Sequence, residues 1–152
     1  LAQSRKSGQL ITGIAHITGR TQITIETMGM EDQNDILVRF ADNGISIDII
    51  NIFPDKMVFT IEGYATKKAM EILKEREKPC RIIENCSKIS AVGDRMRGVP
   101  GVMSRIIKAL TARQIEVLQT SDSHTTISCL VKGEDTIQAV LALHDEFKLS
   151  MQ

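Results

Sequence analysis

The chain has 152 residues, enough for one ordinary domain or two small ones, and its 42% hydrophobic and 25% charged residues are the make-up of a globular protein with its own core. Its 19 basic and 19 acidic residues balance to a formal net charge of zero, and aromatics are only 3% without Trp. Phosphate neutralisation and base stacking are therefore not supported, and no nucleic-acid partner is expected.

No apolar run approaches the roughly 20 residues of a membrane helix, so no membrane partner is expected, and no signal peptide is visible. Cys80, Cys86 and Cys129 are an odd count without paired spacing, which reads as reduced thiols in a cytoplasmic protein. The polar run over residues 1–8, headed by Leu1, reads as a linker left from a longer protein.

Leu10 to Ile17 alternates as a strand, and Thr21 to Thr27 is a second, rich in Ile and Thr. From Asp32 to Asn43, Ile36, Leu37 and Phe40 recur at helical spacing, and Asn43-Gly44 closes that helix. Ile45, Ile47 and Ile49 alternate with Ser46 and Asp48 as a strand. Phe53 to Lys56 is a turn, Met57 to Ile61 a strand, Ala65 to Glu77 a helix and Arg81 to Cys86 a strand. A second set follows. Lys88 to Gly93 reads as a strand, Val99-Pro100-Gly101 opens a helix to about Arg113, Ile115 to Gln119 and Thr125 to Val131 are strands, and Asp135 to Phe147 is a helix.

The two sets are one motif repeated. A shift of 70 residues places Ile36, Phe40, Ile45, Gly63, Ala69 and Leu73 on Ile106, Leu110, Ile115, Gly133, Ala139 and Leu143. The first set has the ferredoxin-like order βαββαβ; the second lacks a fourth strand, and Leu10 to Ile17 is spare. An unpaired sheet edge is a liability. The expected fold is therefore α+β, with antiparallel sheets carrying helices on one face. Its domains are residues 19–87, inserted, and residues 9–18 plus 88–149, discontinuous.

Catalytic chemistry is hard to find. His16, His124 and His144 lie on separate elements, and the cysteines lack zinc-ligand spacing, so no metal or cofactor is expected. The one glycine-rich stretch, Gly93 to Val102, lacks the spacing of a P-loop. It fits a strand-to-helix turn whose free N–H groups would also favour a carboxylate.

That stretch carries a resemblance. Lys88 to Val102 (Lys-Ile-Ser-Ala-Val-Gly-Asp-Arg-Met-Arg-Gly-Val-Pro-Gly-Val) resembles the opening of the second ACT domain of aspartate kinases. Gln119 to Ser128, Ala139 to Phe147 and Leu10 to Ala15 resemble the strand pair, final helix and entry segment of the same region. The Ser-Asp-Ser-His-Thr-Thr run from Ser121 and Ile50-Asn51-Ile52 are most similar to the single-function enzymes of Bacillus-like bacteria. The resemblance implies two tandem ACT domains that bind an end-product amino acid (lysine, threonine or diaminopimelate) and inhibit a catalytic domain. It also implies that this chain, which lacks the kinase motifs, has no kinase activity alone. A structural dimerisation module without a working effector site is the alternative. The family's Asp-x-Pro-Gly turn is missing from the first unit, which reads Met28 to Asn34 instead.

The resemblance further implies a homodimer formed edge to edge, with effector sites between units and built from both chains. A zwitterionic ligand needs N–H donors for its carboxylate and oxygen acceptors for its ammonium. The candidate effector-binding residues at the helix starts are Gly98, Val99, Pro100, Gly101 and Val102 in the second unit and Met30, Glu31, Gln33 and Asn34 in the first. The acceptors are Asp48 and Asn51 in the first and Gln119 and Ser121 in the second, with Asp94 or Glu31 for a side-chain amine.

Overall fold

A computed structural model describes residues 11–94 and 100–148. The linker over residues 1–8, with Gly98 and Val99, lies outside the described residues. The strands are β1 (Gly13–Glu26), β2 (Ile50–Phe53), β3 (Lys56–Glu62), β4 (Cys80–Val92), β5 (Gln119–Asp122) and β6 (Thr126–Lys132). The helices are α1 (Met30–Asp42), α2 (Thr66–Glu75), α3 (Val102–Ala112) and α4 (Thr136–Phe147), with a 3-10 turn before α2 and another before α4. The chain divides into two compact units. Gly19–Cys86 is one, here the central unit; residues up to 18 and from 87 onward make the other, here the split unit.

In the central unit the strand order is β2-β3-β1-β4, the ferredoxin-like order, with β3 antiparallel to both neighbours. The core packs Ile23, Ile25, Met57, Phe59 and Ile61 from the strands against Ile36, Phe40, Ala69, Ile72 and Leu73 from the helices. Phe40 and Phe59 meet edge to face with centroids 5.4 Å apart, a geometry worth about 1 kcal/mol beyond burial. In the split unit the order is β1-β4-β6-β5, so the start of the chain supplies its fourth strand. Thr12 N–H donates to Val92 O at 2.8 Å, and Gly93 N–H to Thr125 O at 2.9 Å. Its core is Ile89, Ala91, Ile106, Leu110, Cys129, Val131, Ala139 and Leu143, with Ile11.

The repeat extends to individual hydrogen bonds. In the central unit Ile45 N–H reaches back to Phe40 O at 3.0 Å, and in the split unit Ile115 N–H reaches Leu110 O at 3.0 Å. Asp48 N–H to Thr60 O at 3.0 Å is matched by Leu118 N–H to Leu130 O at 2.8 Å. A buried hydroxyl pair ties the first strand to the second helix in each: Thr21 with Thr66 at 2.7 Å, Ser87 with Thr136 at 2.5 Å.

Two sequence expectations shift. The segments Thr21 to Thr27 and Leu10 to Ile17 belong, within the described residues, to the single strand β1, as Arg81 to Cys86 and Lys88 to Gly93 belong to β4. Gly19 (φ 68) and Asn85 (φ 57) are left-handed residues inside those strands. The expected strand Ile45 to Ile49 is instead the exit from α1, and the edge strand is Ile50–Phe53. Ile45 and Ile49 are buried, so the alternation reports core contact, and pairing with β3 begins at Asp48 and Ile49, which bond Thr60 just before β2. Ile115 to Leu118 likewise precedes β5, which Gln119 opens.

Both helix exits need a left-handed residue. Gly44 (φ 72) supplies it in the central unit; in the split unit the equivalent is Gln114 (φ 59), where a side chain is disfavoured. Gln114→Gly is therefore expected to stabilise the chain by about 0.5–1 kcal/mol in urea denaturation, whereas Gly44→Gln should destabilise it by about 1 kcal/mol.

Candidate functional site

The helix starts, whose free N–H groups favour an anion, differ between the units. In the central unit β1 passes to α1 through residues 27–29, and Gly29 (φ 120) is the residue before the helix. No side chain caps that end directly. Asp32 instead turns back from the first turn: its Oδ2 accepts Met28 N–H at 2.8 Å and forms an ion pair with Lys78. The side chains of Asp32 and Lys78 are only 15% and 12% exposed. The Lys78 contact holds the Asp32 carboxyl below the usual carboxylate range, against an opposing push from burial.

The sequence candidates on this helix separate into two kinds. Met30, Glu31 and Asn34 are exposed. Gln33 is buried, and its amide is used internally: Nε2 donates to Thr27 Oγ1 at 2.9 Å and to Phe53 O at 2.7 Å. Asp48 is exposed and faces Arg20, whose Nη2 is 3.8 Å from its Oδ2. Asn51 lies half-buried on β2 opposite Val58.

The strand register places these groups along the sheet. Asp48 N–H bonds to Thr60 O, and Thr60 lies opposite Gln22, whereas α1 begins beyond Glu26, opposite Lys56. Four residues of strand separate the two levels, about 13 Å at 3.3 Å per residue. The carboxylate and ammonium of an amino acid share one carbon. Asp48 therefore cannot take the ammonium of a ligand whose carboxylate rests on the α1 start of the same unit.

In the split unit Gly101 precedes α3 in the left-handed conformation (φ 88), and Arg105 N–H closes the first turn on Gly101 O at 2.9 Å. A Cβ there would meet nothing within 4 Å, so the glycine serves its backbone conformation and leaves open space above it. Asp94, Pro100 and Gly101 are exposed. Val102 is 3% exposed and its side chain belongs to the core, so only its backbone can serve a ligand. On β5, Gln119 is buried opposite Leu130 and Ser121 is exposed opposite Ser128.

Burial pushes all three thiols up, Cys129 to about 11, so they are protonated near neutrality and poor nucleophiles. Among the described residues no group of His, Cys, Asp and Glu could hold a metal ion. No helix is long and apolar enough to cross a membrane. The Asp32–Lys78 pair was not foreseen. Asp32 sits where a helix favours an acid, but Lys78, 46 residues on, carries no local signal.

The lowered Asp32 ionisation gives a pH test. A group whose folded value is depressed contributes stability that is present above the unfolded value, about pH 4, and lost as pH falls through the folded value. Asp32→Asn is expected to be less stable than the parent at pH 7 by about 1 kcal/mol. In urea denaturation the gap should narrow below about pH 4.

The comparisons with known proteins agree with the fold. Residues 81–145 match the model of the ACT domain. Aspartokinase 1 of Bacillus subtilis (strain 168) is 43% identical over 144 residues, which cover 93% of this chain and 36% of that protein, so the chain spans little more than a third of this relative. The crystal structure of aspartokinase alpha and beta subunits superposes with a TM-score of 0.81 at 28% identity, covering 91% of this chain and 99% of that one. The ligand-free regulatory subunit of aspartate kinase from Thermus thermophilus shares the fold, with a TM-score of 0.81 at 21% identity over 91% of this chain and 99% of that one. The chain is an ACT region of the aspartokinase family.

Proposed function

We propose that this chain is the amino-acid-sensing part of an aspartokinase. It binds an end-product amino acid (lysine, threonine or diaminopimelate) and thereby restrains a catalytic domain, itself performing no chemistry. The observation that carries the reading is the 43% identity to Bacillus subtilis aspartokinase 1 along 93% of the chain. On this reading both units are ACT domains, over residues 19–87 and over residues 9–18 plus 88–149, and the protein acts in the cytoplasm as a homodimer.

The ligand's carboxylate takes N–H groups at a helix start: those of Gly98, Val99, Gly101 and Val102 around Pro100 at α3, or those of Met30 to Asn34 at α1. Its ammonium takes oxygen acceptors on the second strand of a unit in the partner copy, Asp48 and Asn51 or Gln119 and Ser121. The level of Asp48 lies about 13 Å along the sheet from Glu26, where β1 ends before α1, and this supports a site completed by the partner. Ligand binding would then strengthen the dimer by linkage. Asp94 or Glu31 would serve a side-chain amine.

A second reading, a structural dimerisation module of the same enzyme without a working effector site, is favoured by one feature. Glu31 brings negative charge to the α1 start, and Asp32 already takes Met28 N–H there, which opposes a ligand carboxylate.

Calorimetry with lysine, threonine, methionine and diaminopimelate tests the first reading. At least one should bind. Gly101→Ala should weaken binding at the α3 start about tenfold, because a side chain there both strains the turn and enters the open space. Asp48→Ala should weaken it comparably by removing an ammonium acceptor. If none of the four binds, or if Asp48→Ala and Gln119→Ala both leave affinity unchanged, this site is wrong.

A further inference from the structure

Gln33 stands apart from the other sequence candidates. It is 7% exposed, in the first turn of α1, among side chains that otherwise face solvent or the apolar core. A primary amide has two N–H bonds, and both are placed: one on Thr27 Oγ1 at 2.9 Å, at the end of β1, the other on Phe53 O at 2.7 Å, at the end of edge strand β2. Thr27 N–H adds a third tie to the same turn, donating to Asp55 O at 2.9 Å. The helix start and the far end of β2 are therefore joined through one buried side chain. In the split unit the residue 70 positions on is Met103, which packs on the core and has no amide to donate. The clamp belongs to the central unit alone.

We propose that Gln33 is a positioning residue rather than a ligand contact: it locks the start of α1 to edge strand β2, so that the helix donors and the strand acceptors of the central unit move as one body. The proposal rests on the reading that these two elements hold an effector. A ligand that bears on either one then bears on both, and the edge strand responds to what binds at the helix start. Without the clamp the unit keeps its core, formed by Ile36 and Phe40 on the same helix, but the helix start is free to shift against β2.

Gln33→Met tests it, since it keeps volume and removes both donors; Gln33→Glu, with no N–H to give at neutral pH, is the second variant should the first fold poorly. Amide exchange is followed by NMR in the full chain, with β5 and β6 as internal reference. Exchange at Thr27 and across Phe53 to Lys56 should rise about tenfold while β5 and β6 are unchanged, and affinity for the amino acid bound by the parent should fall about tenfold. Unchanged exchange overturns the clamp. Faster exchange with unchanged affinity overturns the positioning role and leaves Gln33 a stabilising residue only. If the parent binds none of the four amino acids, the functional reading fails, and the exchange result alone decides the clamp.

Discussion

The constraint beneath this structure is the demand of backbone N–H and C=O groups for partners. From Ser87 onward the described residues of the split unit hold three strands: the end of β4, β5 and β6. A three-stranded sheet would leave β4 unpaired along one side, at a cost in unsatisfied groups and in exposure to other chains. The start of the chain removes that cost. Residues up to Thr18 lie in the same compact unit, and Thr12 N–H donates to Val92 O. A stretch that looks superfluous in sequence is thus the one that closes a sheet.

With the sheets paired, the two units solve the same problems with nearly the same atoms. Each ties its first strand to its second helix through two buried hydroxyls, a pair in which removing one partner would strand the other at about 1–3 kcal/mol. Each leaves its first helix through a left-handed residue and a reach-back bond of 3.0 Å. They part at the helix start. The central unit moves from strand to helix across residues 27–29 and fills the junction with Asp32, Lys78 and Gln33. The split unit uses residues 93–101 and ends them on an open glycine. The two units thus share their scaffolding and differ at the loops before their first helices.

Much of the fold was legible because helix periodicity and the 70-residue repeat are local patterns. Ile36, Phe40, Ile106 and Leu110 face their cores as their spacing implies. Strand limits were less legible. Ile45, Ile47 and Ile49 alternate like a strand, yet Ile45 is buried in the connection that leaves α1, and pairing with β3 starts only at Asp48 and Ile49. Burial and ladder pairing are separate demands, and alternation reports the first over a longer stretch than the second. At the candidate site the residue types were readable, but which atoms were already taken was not. Val102 serves the core, Gln33 spends its donors internally, and Asp48 faces Arg20; all three depend on contacts distant in sequence.

The most direct test of the account is a crystal structure of the chain grown with the amino acid that binds it. The account predicts density for an amino-acid carboxylate on the N–H groups at the start of α3 beside Gly101, or at the start of α1, with its ammonium on strand β2 or β5 of a second copy. Density confined to another surface of the molecule, such as the groove of about 1210 Å³ lined by Tyr64, Met70, Leu73 and Pro79, would contradict it.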